Sequence, residues 1–247
     1  MCHNIKMKIT VINATEKQGA VYALKESFLR PFAGKAEIKE WYLPKDMPNF
    51  CNGCETCVTE SETKCHDARS FMPIWKSIEA ADLVVFATPT YAGHVPAALK
   101  NLLDHFEWAW MTHRPRPAVF GKRALILATC GIAGKSAATD ITDSLEGWGF
   151  ADIRCFRAEF RDASSAKDTT DISANIESTL SALSAKYQRT DFSVPAKMPR
   201  RLKRRFNACR AARIKLIDAE TARETLSADS RYWQESGWLD KSRPWKK

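Results

Sequence analysis

Residues 83–105 read LVVFATPTYAGHVPAALKNLLDH, and this stretch decides the fold. It opens on an apolar run, 83–87, which is typical of a strand covered on both faces of a sheet. A loop with Pro and Gly follows over 88–95, and residues 96–110 predict a helix. A buried strand joined to a helix by a short loop is the repeating unit of a parallel α/β sheet.

The same unit recurs along the chain. Strands are predicted at 8–13, 37–43, 83–87, 124–129 and 153–158, and helices at 20–29, 67–79, 96–110, 136–148 and 172–187. Because strand and helix alternate throughout, right-handed crossovers produce a doubly wound parallel sheet with helices on both faces. Such folds bind ligands beyond the carboxyl ends of their strands. The loops after the first, third and fourth strands are therefore candidate binding loops.

Charge is concentrated near the C-terminus of the 247-residue chain. Its formal net charge is +9, and residues 196–216 alone carry nine basic side chains and no acid. These are Lys197, Arg200, Arg201, Lys203, Arg204, Arg205, Arg210, Arg213 and Lys215. The change in composition predicts one α/β domain over 1–190, followed by a basic, Trp-rich helical extension over 191–247.

The extension has an apolar side as well as a basic one. One side of the predicted helix carries four apolar residues: Leu202, Phe206, Cys209 and Leu216. Three tryptophans follow the helix: Trp233, Trp238 and Trp245. An apolar side needs burial, so we expect this helix to pack on its own domain or on a partner subunit. Its charges remain open to three interpretations: a solvated face, a surface for an acidic redox partner, or contact with an anionic membrane surface.

Several functional classes are disfavoured by the sequence. No apolar run approaches the roughly 20 residues that span a bilayer. The N-terminus runs directly into the first predicted strand, so we expect no signal peptide and a cytoplasmic location. Thiols are kept reduced there. No recognised nucleic-acid module accompanies the basic segment, which argues against nucleic-acid binding.

The three candidate loops carry groups suited to a phosphate and a flat ring. The first loop offers Asn13, Thr15, Lys17, Gln18 and Gly19 at a helix N-terminus, where N–H groups suit an anion; an ordinary polar turn is the alternative. The second offers Thr88, Pro89, Thr90, Tyr91, Ala92 and Gly93, with an aromatic side chain beside a glycine. The third begins with Thr129, Cys130 and Gly131. His94 is interpreted as a solvated loop histidine. Trp108 and Trp110 are interpreted as walls of the substrate pocket, or as residues buried against the tryptophan-rich tail or a second subunit.

A family resemblance adds to these observations. The run PTYAGHVPAALKNLLDH, 89–105, resembles the flavin loop and following helix of the NADPH-dependent FMN reductase and iron–sulfur flavoprotein family. The positions that carry the resemblance are Pro89, Tyr91, Gly93, Val95, Ala97, Leu99, Lys100 and Asp104. It implies a flavodoxin-like sheet of order 2-1-3-4-5 and an FMN ring held by backbone groups of 88–93 and touched by 129–131. It also implies NAD(P)H as co-substrate and a homo-oligomer.

Four cysteines form the sharpest spacing in the chain: Cys51-x2-Cys54-x2-Cys57-x7-Cys65. Four thiolates on one loop suit a [4Fe–4S] cluster, and they also suit tetrahedral zinc or simply free structural thiols. His66 is an alternative to Cys65 as a ligand. The resemblance favours the cluster, because iron–sulfur flavoproteins carry a compact motif of this type. Cys130 and Cys155 are predicted to be buried packing residues.

The expected function is that of an FMN-dependent NAD(P)H oxidoreductase. Electrons would pass from the nicotinamide through FMN, and through the cluster if it is present, to a quinone, a flavin or a redox protein. The flavin performs this chemistry, so no catalytic acid–base side chain is predicted. The alternatives are an electron carrier without its own nicotinamide site and a non-catalytic sensor or scaffold.

Overall fold

Five parallel strands form one sheet in the order β2-β1-β3-β4-β5. The computed structural model describes residues 7–130, 136–159 and 172–240. The strands are β1 Met7–Asn13, β2 Ala36–Tyr42, β3 Leu83–Pro89, β4 Arg123–Cys130 and β5 Asp152–Glu159. All four neighbouring pairs are parallel, so the predicted flavodoxin-like order is confirmed.

Eight α-helices connect or follow these strands in the described parts of the chain. They are α1 Ala20–Leu29, α2 Thr56–Thr59, α3 Ala68–Ala80, α4 Ala97–His105, α5 Ser136–Trp148, α6 Ala174–Gln188, α7 Arg200–Thr221 and α8 Ala228–Glu235. The predicted helix over 96–110 is wrong in length: α4 ends at His105, and a separate 3₁₀ turn covers Glu107–Ala109. The break turns Trp108 into the core, where its ring centroid lies 5.1 Å from that of Trp75.

Both faces of the sheet are covered, which explains the apolar run of β3. Val84 and Phe86 join one core with α3, α4 and α5, while Leu83 and Val85 join the other core with α1 and α6. Alternate strand residues point to opposite faces, so a strand buried on both faces is apolar throughout. None of the described helices is both long enough and apolar enough to cross a membrane.

The C-terminal helices pack on the domain through a third core. Met198, Leu202, Phe206, Trp233 and Trp238 enclose Met111 and Phe120. Burial of the apolar side of α7 is thereby confirmed at Leu202 and Phe206. It is wrong at Leu216, which is 49% exposed. Positions 202, 206, 213 and 217 follow the helical period and face inward, whereas position 216 lies about 100° away from 217.

The prediction that Cys155 is a buried packing residue is wrong. Cys155 lies on β5, the edge strand of the sheet, and its side chain is exposed. Along β5 only Ala158 is buried, so the helices on the two faces of the sheet leave most of this edge strand partly open to solvent. The side chain of Cys130, the other predicted packing cysteine, lies outside the described residues.

Candidate functional site

The three candidate loops meet at one edge of the sheet. In the strand register Asn13 pairs with Ala87, and Pro89 pairs with Thr129. The N–H of Thr90 donates to the carbonyl oxygen of Thr129 at 2.9 Å, which joins the second loop to the end of β4. The structure therefore brings together the first loop, the second loop and the start of the third. Gly131 and the side chain of Cys130 lie outside the described residues.

The first loop presents an uncapped helix N-terminus. Gly19 is the N-cap of α1 in an extended conformation, no described side chain caps this end, and the first turn holds no acidic residue. Thr15 Oγ1 accepts a hydrogen bond from the N–H of Lys17 at 3.1 Å, which shapes the turn. Glu16, Lys17 and Gln18 are exposed. First-turn N–H groups lack acceptors within a helix, so this end suits an anion such as a phosphate.

Asn13 supports this loop from the sheet. Its side-chain amide donates to Glu40 Oε2 at 3.0 Å and to the carbonyl oxygen of Trp41 at 3.2 Å. The side-chain amide of Asn13 is therefore occupied by hydrogen bonds to the neighbouring strand β2. The contact between Asn13 and a cofactor stays a prediction. The backbone of Asn13 is the last position of β1, so the β2 contacts fix the point where the first loop begins.

A buried lysine completes the support. Lys25 on α1 is fully buried, and its Nζ lies 2.6 Å from Glu26 Oε1 and 2.8 Å from Glu40 Oε2. The hydroxyl of Tyr42 donates to the same Glu40 oxygen at 2.9 Å. Burial alone would lower the pKa of Lys25, but the hydrogen bonds to Glu26 and Glu40 outweigh it and raise that pKa above its ordinary value.

Glu40 responds in the complementary direction. Burial opposes its ionisation, yet the hydrogen bonds from Lys25 and Asn13 lower its pKa below the ordinary value. Both members of the pair are therefore charged, and their attraction ties α1 to β2. We name this group, Asn13, Lys25, Glu40 and Tyr42, the lysine network.

The second loop contains a tight turn that projects from the sheet. Tyr91 and His94 exchange backbone hydrogen bonds of 3.0 and 2.9 Å. The two residues between them have positive φ, 49° at Ala92 and 85° at Gly93, as a type I′ turn requires. The Tyr91 side chain is 53% exposed at this turn. An aromatic ring is thus presented beside backbone that a flat ligand is able to approach closely.

One buried polar atom in this loop points to a ligand. Thr90 Oγ1 is buried and has no hydrogen-bond partner among the described residues. Leaving a hydroxyl buried and unpaired costs about 1–3 kcal/mol, so such atoms call for a partner. The unpaired hydroxyl, the positive-φ turn and the open end of α1 fit a flat ring that carries a phosphate.

Helix α5 fixes the far side of the turn. Asp140 Oδ2 accepts a hydrogen bond from the N–H of Val95 at 3.3 Å and lies 3.4 Å from His94 Nδ1. The His94 side chain is 70% exposed, which agrees with the solvated interpretation. Nothing in the sequence around Asp140 singles it out, because its partner lies 45 residues earlier in the chain.

A cleft opens beside the turn. It has a volume of about 630 Å³, and its walls include Lys100, Trp110, Asp140 and Arg205. The guanidinium of Arg205 lies 5.2 Å from the centre of the Trp110 ring, so the extension contributes one wall. Trp110 thus matches its interpretation as a pocket wall, whereas Trp108 is fully buried in the core.

The ends of the cysteine loop, 49–67, are pinned to α4. Asp67 is buried and accepts from Asn49 Nδ2 at 2.8 Å, and its other oxygen lies 3.2 Å from His105 Nε2. Asn101 donates to the carbonyl oxygen of Asn49 at 2.8 Å and accepts from the N–H of Cys51 at 2.9 Å. Burial opposes ionisation of Asp67, but the bonds from Asn49 and His105 lower its pKa. Both ends of the loop are therefore held by buried polar contacts.

The four thiols are reduced and differ in exposure. Cys51 and Cys54 are exposed, while Cys57 and Cys65 are half-buried. Burial raises the pKa of Cys57 to about 11, and repulsion from Cys65, Glu107 and, to a smaller extent, the other two cysteines adds to the rise. Among the described residues, no three His, Cys, Asp or Glu side chains already form a group that could hold a metal ion. The loop therefore supplies four sulfur donors in mutual electrostatic reach, and their approach to a common centre stays a prediction.

The α/β domain has relatives among known proteins. Residues 7–158 match the NADPH-dependent FMN reductase family. An iron–sulfur flavoprotein of Archaeoglobus fulgidus is 22% identical over 148 residues, which is 59% of this chain and 64% of that protein. The match therefore spans less than two thirds of this relative.

Solved structures share the fold at low sequence identity. An FMN-dependent NADH-azoreductase from Bacillus anthracis in complex with FMN is 15% identical, with a TM-score of 0.54, over 72% of this chain and 99% of that one. An NAD(P)H:quinone oxidoreductase from Methanothermobacter marburgensis is 14% identical, with a TM-score of 0.58, over 75% of this chain and 98% of that one.

Proposed function

The chain belongs to the NADPH-dependent FMN reductase family, and from that premise we propose that it is an FMN-dependent NAD(P)H oxidoreductase. The observation that carries the proposal is the meeting of three loops at the carboxyl edge of the sheet, with an unpaired buried hydroxyl on Thr90 between them. The structural neighbour from Methanothermobacter marburgensis is named an NAD(P)H:quinone oxidoreductase, and we propose a quinone as acceptor by analogy with that name.

Each loop has a separate role in this proposal. The N–H groups at the start of α1, with Thr15 and Lys17, bind the phosphate. Backbone groups of 88–93 hold the ring, and Thr129 borders it from β4. When bound, FMN supplies hydride acceptance from NAD(P)H and electron delivery to the acceptor. The side chains bind, orient and enclose; an acid–base pair among them is not required. The proposal also includes the FMN contacts predicted from the sequence for four further loop residues: Gln18, Gly19, Cys130 and Gly131.

Steady-state oxidation of NADPH and NADH with a quinone as acceptor tests the activity. We expect FMN-dependent oxidation of at least one of the two nicotinamides, abolished when the flavin is removed and restored when it is added back. Bound FMN without nicotinamide oxidation would identify an electron carrier instead. A protein that binds no flavin at all would leave the sensor or scaffold interpretation.

We further propose that Cys51, Cys54, Cys57 and Cys65 bind a [4Fe–4S] cluster. The support is the spacing, the presence of all four thiols on one pinned loop, and the iron–sulfur flavoprotein among the relatives. Cluster binding would require the four thiols to approach a common centre, since they form no metal-holding group among the described residues. Zinc and free thiols are the competing states.

Anaerobic preparation followed by iron, sulfide and zinc analysis decides among them. We expect about four irons per chain, because all four thiolates ligate one cluster. Cys54→Ser should lower the iron content severalfold. Cys155→Ser is the matched control, since Cys155 is also exposed but lies on the edge strand β5. Equal loss of iron in both variants, a protein that holds zinc in place of iron and sulfide, or a protein without any of the three would contradict the proposal.

A further inference from the structure

Arg114 is a buried arginine that caps the helix carrying Cys57. Its Nη1 donates to the carbonyl oxygen of Cys57 at 2.9 Å, and its Nη2 donates to those of Val58 at 2.7 Å and Glu60 at 3.2 Å. Its side chain is only 5% exposed. The last carbonyl groups of a helix lack donors within that helix, and an arginine is able to satisfy them. The guanidinium therefore holds the end of α2, in the middle of the cysteine loop.

The opposite side of the same guanidinium faces the C-terminal extension. Arg114 Nε lies 3.1 Å from Asp229 Oδ1, and Asp229 belongs to the first turn of α8. The other oxygen of this carboxylate lies 2.7 Å from His113 Nδ1 and 3.2 Å from a nitrogen of Arg213. Asp229 is itself 5% exposed. Arg114 Nη1 also donates to Glu62 Oε2 of the cysteine loop at 2.8 Å. Two carboxylates therefore share the buried guanidinium, Glu62 from the loop and Asp229 from the extension.

Helix α8 is firmly seated where it meets Arg114. The Trp233 indole donates to the carbonyl oxygen of His113, and the Tyr232 hydroxyl donates to that of Pro115 at 2.7 Å. Trp233 is fully buried in the third core. Arg114 and its neighbours therefore lie between the cysteine loop on one side and the extension on the other.

We propose that the C-terminal extension is a clasp for the cysteine loop, in which Asp229 positions Arg114 and Arg114 positions α2. The extension follows residues 7–158, the part that matches the family, so the clasp is an addition to that shared region. Docking of α8 and ordering of the loop are linked through the Arg114 guanidinium, which pairs with Asp229 of α8 and with Glu62 of the loop, and such linkage acts in both directions. The clasp operates whether the thiols hold a cluster, zinc or nothing, so its failure is distinguishable from failure of the cluster proposal.

Hydrogen–deuterium exchange of the protein as purified tests the clasp. Asp229→Asn keeps the shape of the side chain but removes the charge that pairs Arg114 with α8, while the pair between Arg114 and Glu62 stays in place. We expect backbone exchange over 50–66 to become about tenfold faster or more, because removing one partner of a buried ion pair weakens whatever the other partner holds. Exchange in β3 serves as the internal reference and should be unchanged. The control is Arg201→Ala, which removes an exposed contact between α7 and Glu146 and leaves the loop untouched.

A second variant keeps the test decisive if Asp229→Asn fails to fold. Arg114→Lys retains a positive charge for Asp229 but loses the fork that reaches several carbonyl oxygens. We expect faster exchange over 50–66 with wild-type exchange in α8. Unchanged exchange over 50–66 in either folded variant would overturn the proposal. An equal acceleration in β3 would also overturn it, because the ion pair would then act on the whole fold and not on the loop.

Discussion

Replacing Gly93 by valine is expected to lower the FMN content of the purified protein about tenfold or more, equivalent to at least about 1.4 kcal/mol of binding free energy. Gly93 occupies the turn between Tyr91 and His94 at a φ of 85°, a conformation that β-branched residues adopt only under strain. Valine would distort the turn and add two methyl groups where the ring is expected to approach. Flavin released by denaturation and quantified per chain measures the effect.

The matched control is Gly34→Val. Gly34 also has a positive φ, 71°, and a Cβ at this position would meet no atom within 4 Å. It precedes β2 and therefore lies at the amino edge of the sheet, opposite the candidate loops. Both variants carry a similar backbone cost, so only the Gly93 variant should lose flavin. Full flavin content in Gly93→Val would place the ring elsewhere.

Lys25→Ala is expected to lower the free energy of unfolding by about 3 kcal/mol, because it leaves the partly buried carboxylate of Glu40 without its cation. Lys25 is fully buried in the lysine network, where it contacts Glu40 at 2.8 Å. Urea denaturation of the wild type and the variant measures the difference. The first loop begins at Asn13, which bonds to the same carboxylate, so flavin affinity should fall as well.

Lys64→Ala provides the control for Lys25→Ala. Lys64 forms an exposed ion pair with Glu60, and such pairs contribute about 0–1 kcal/mol. The contribution of the lysine network should also depend on pH. The pKa of Glu40 is lowered in the folded protein, so its contribution is present above the ordinary glutamate pKa and is lost as the pH falls through the folded value. A loss below about 1 kcal/mol in Lys25→Ala would mean that the network does not support the loop.

Most of the fold is predictable from local patterns. The apolar run of β3 and the alternation of strands and helices identify the doubly wound sheet, because both signals are contained within short stretches of sequence. Helices α2 and α8 escape prediction since they have only 4 and 8 residues and depend on tertiary contacts. The inward position of Ile217 in place of Leu216 escapes it because both residues are apolar and only packing decides between them.

The candidate site is predictable only where its residues adjoin strand ends. The loops containing Thr15, Gly93 and Thr129 follow from that rule. Asp140 and Arg114 do not, because each contacts loop residues at least 45 positions away and carries no local signature. A homo-oligomer, and an acidic partner or membrane surface for the basic extension, stay predictions.

Titration of the flavin-free protein with FMN and with riboflavin tests the central claim most directly. The claim is that three loops at the carboxyl edge of the sheet hold FMN, with its phosphate at the start of α1. Quenching of flavin fluorescence should saturate at about one FMN per chain, and riboflavin should bind about tenfold more weakly or worse because it lacks the phosphate. Equal binding of the two flavins, or no saturable binding of FMN, would contradict the account.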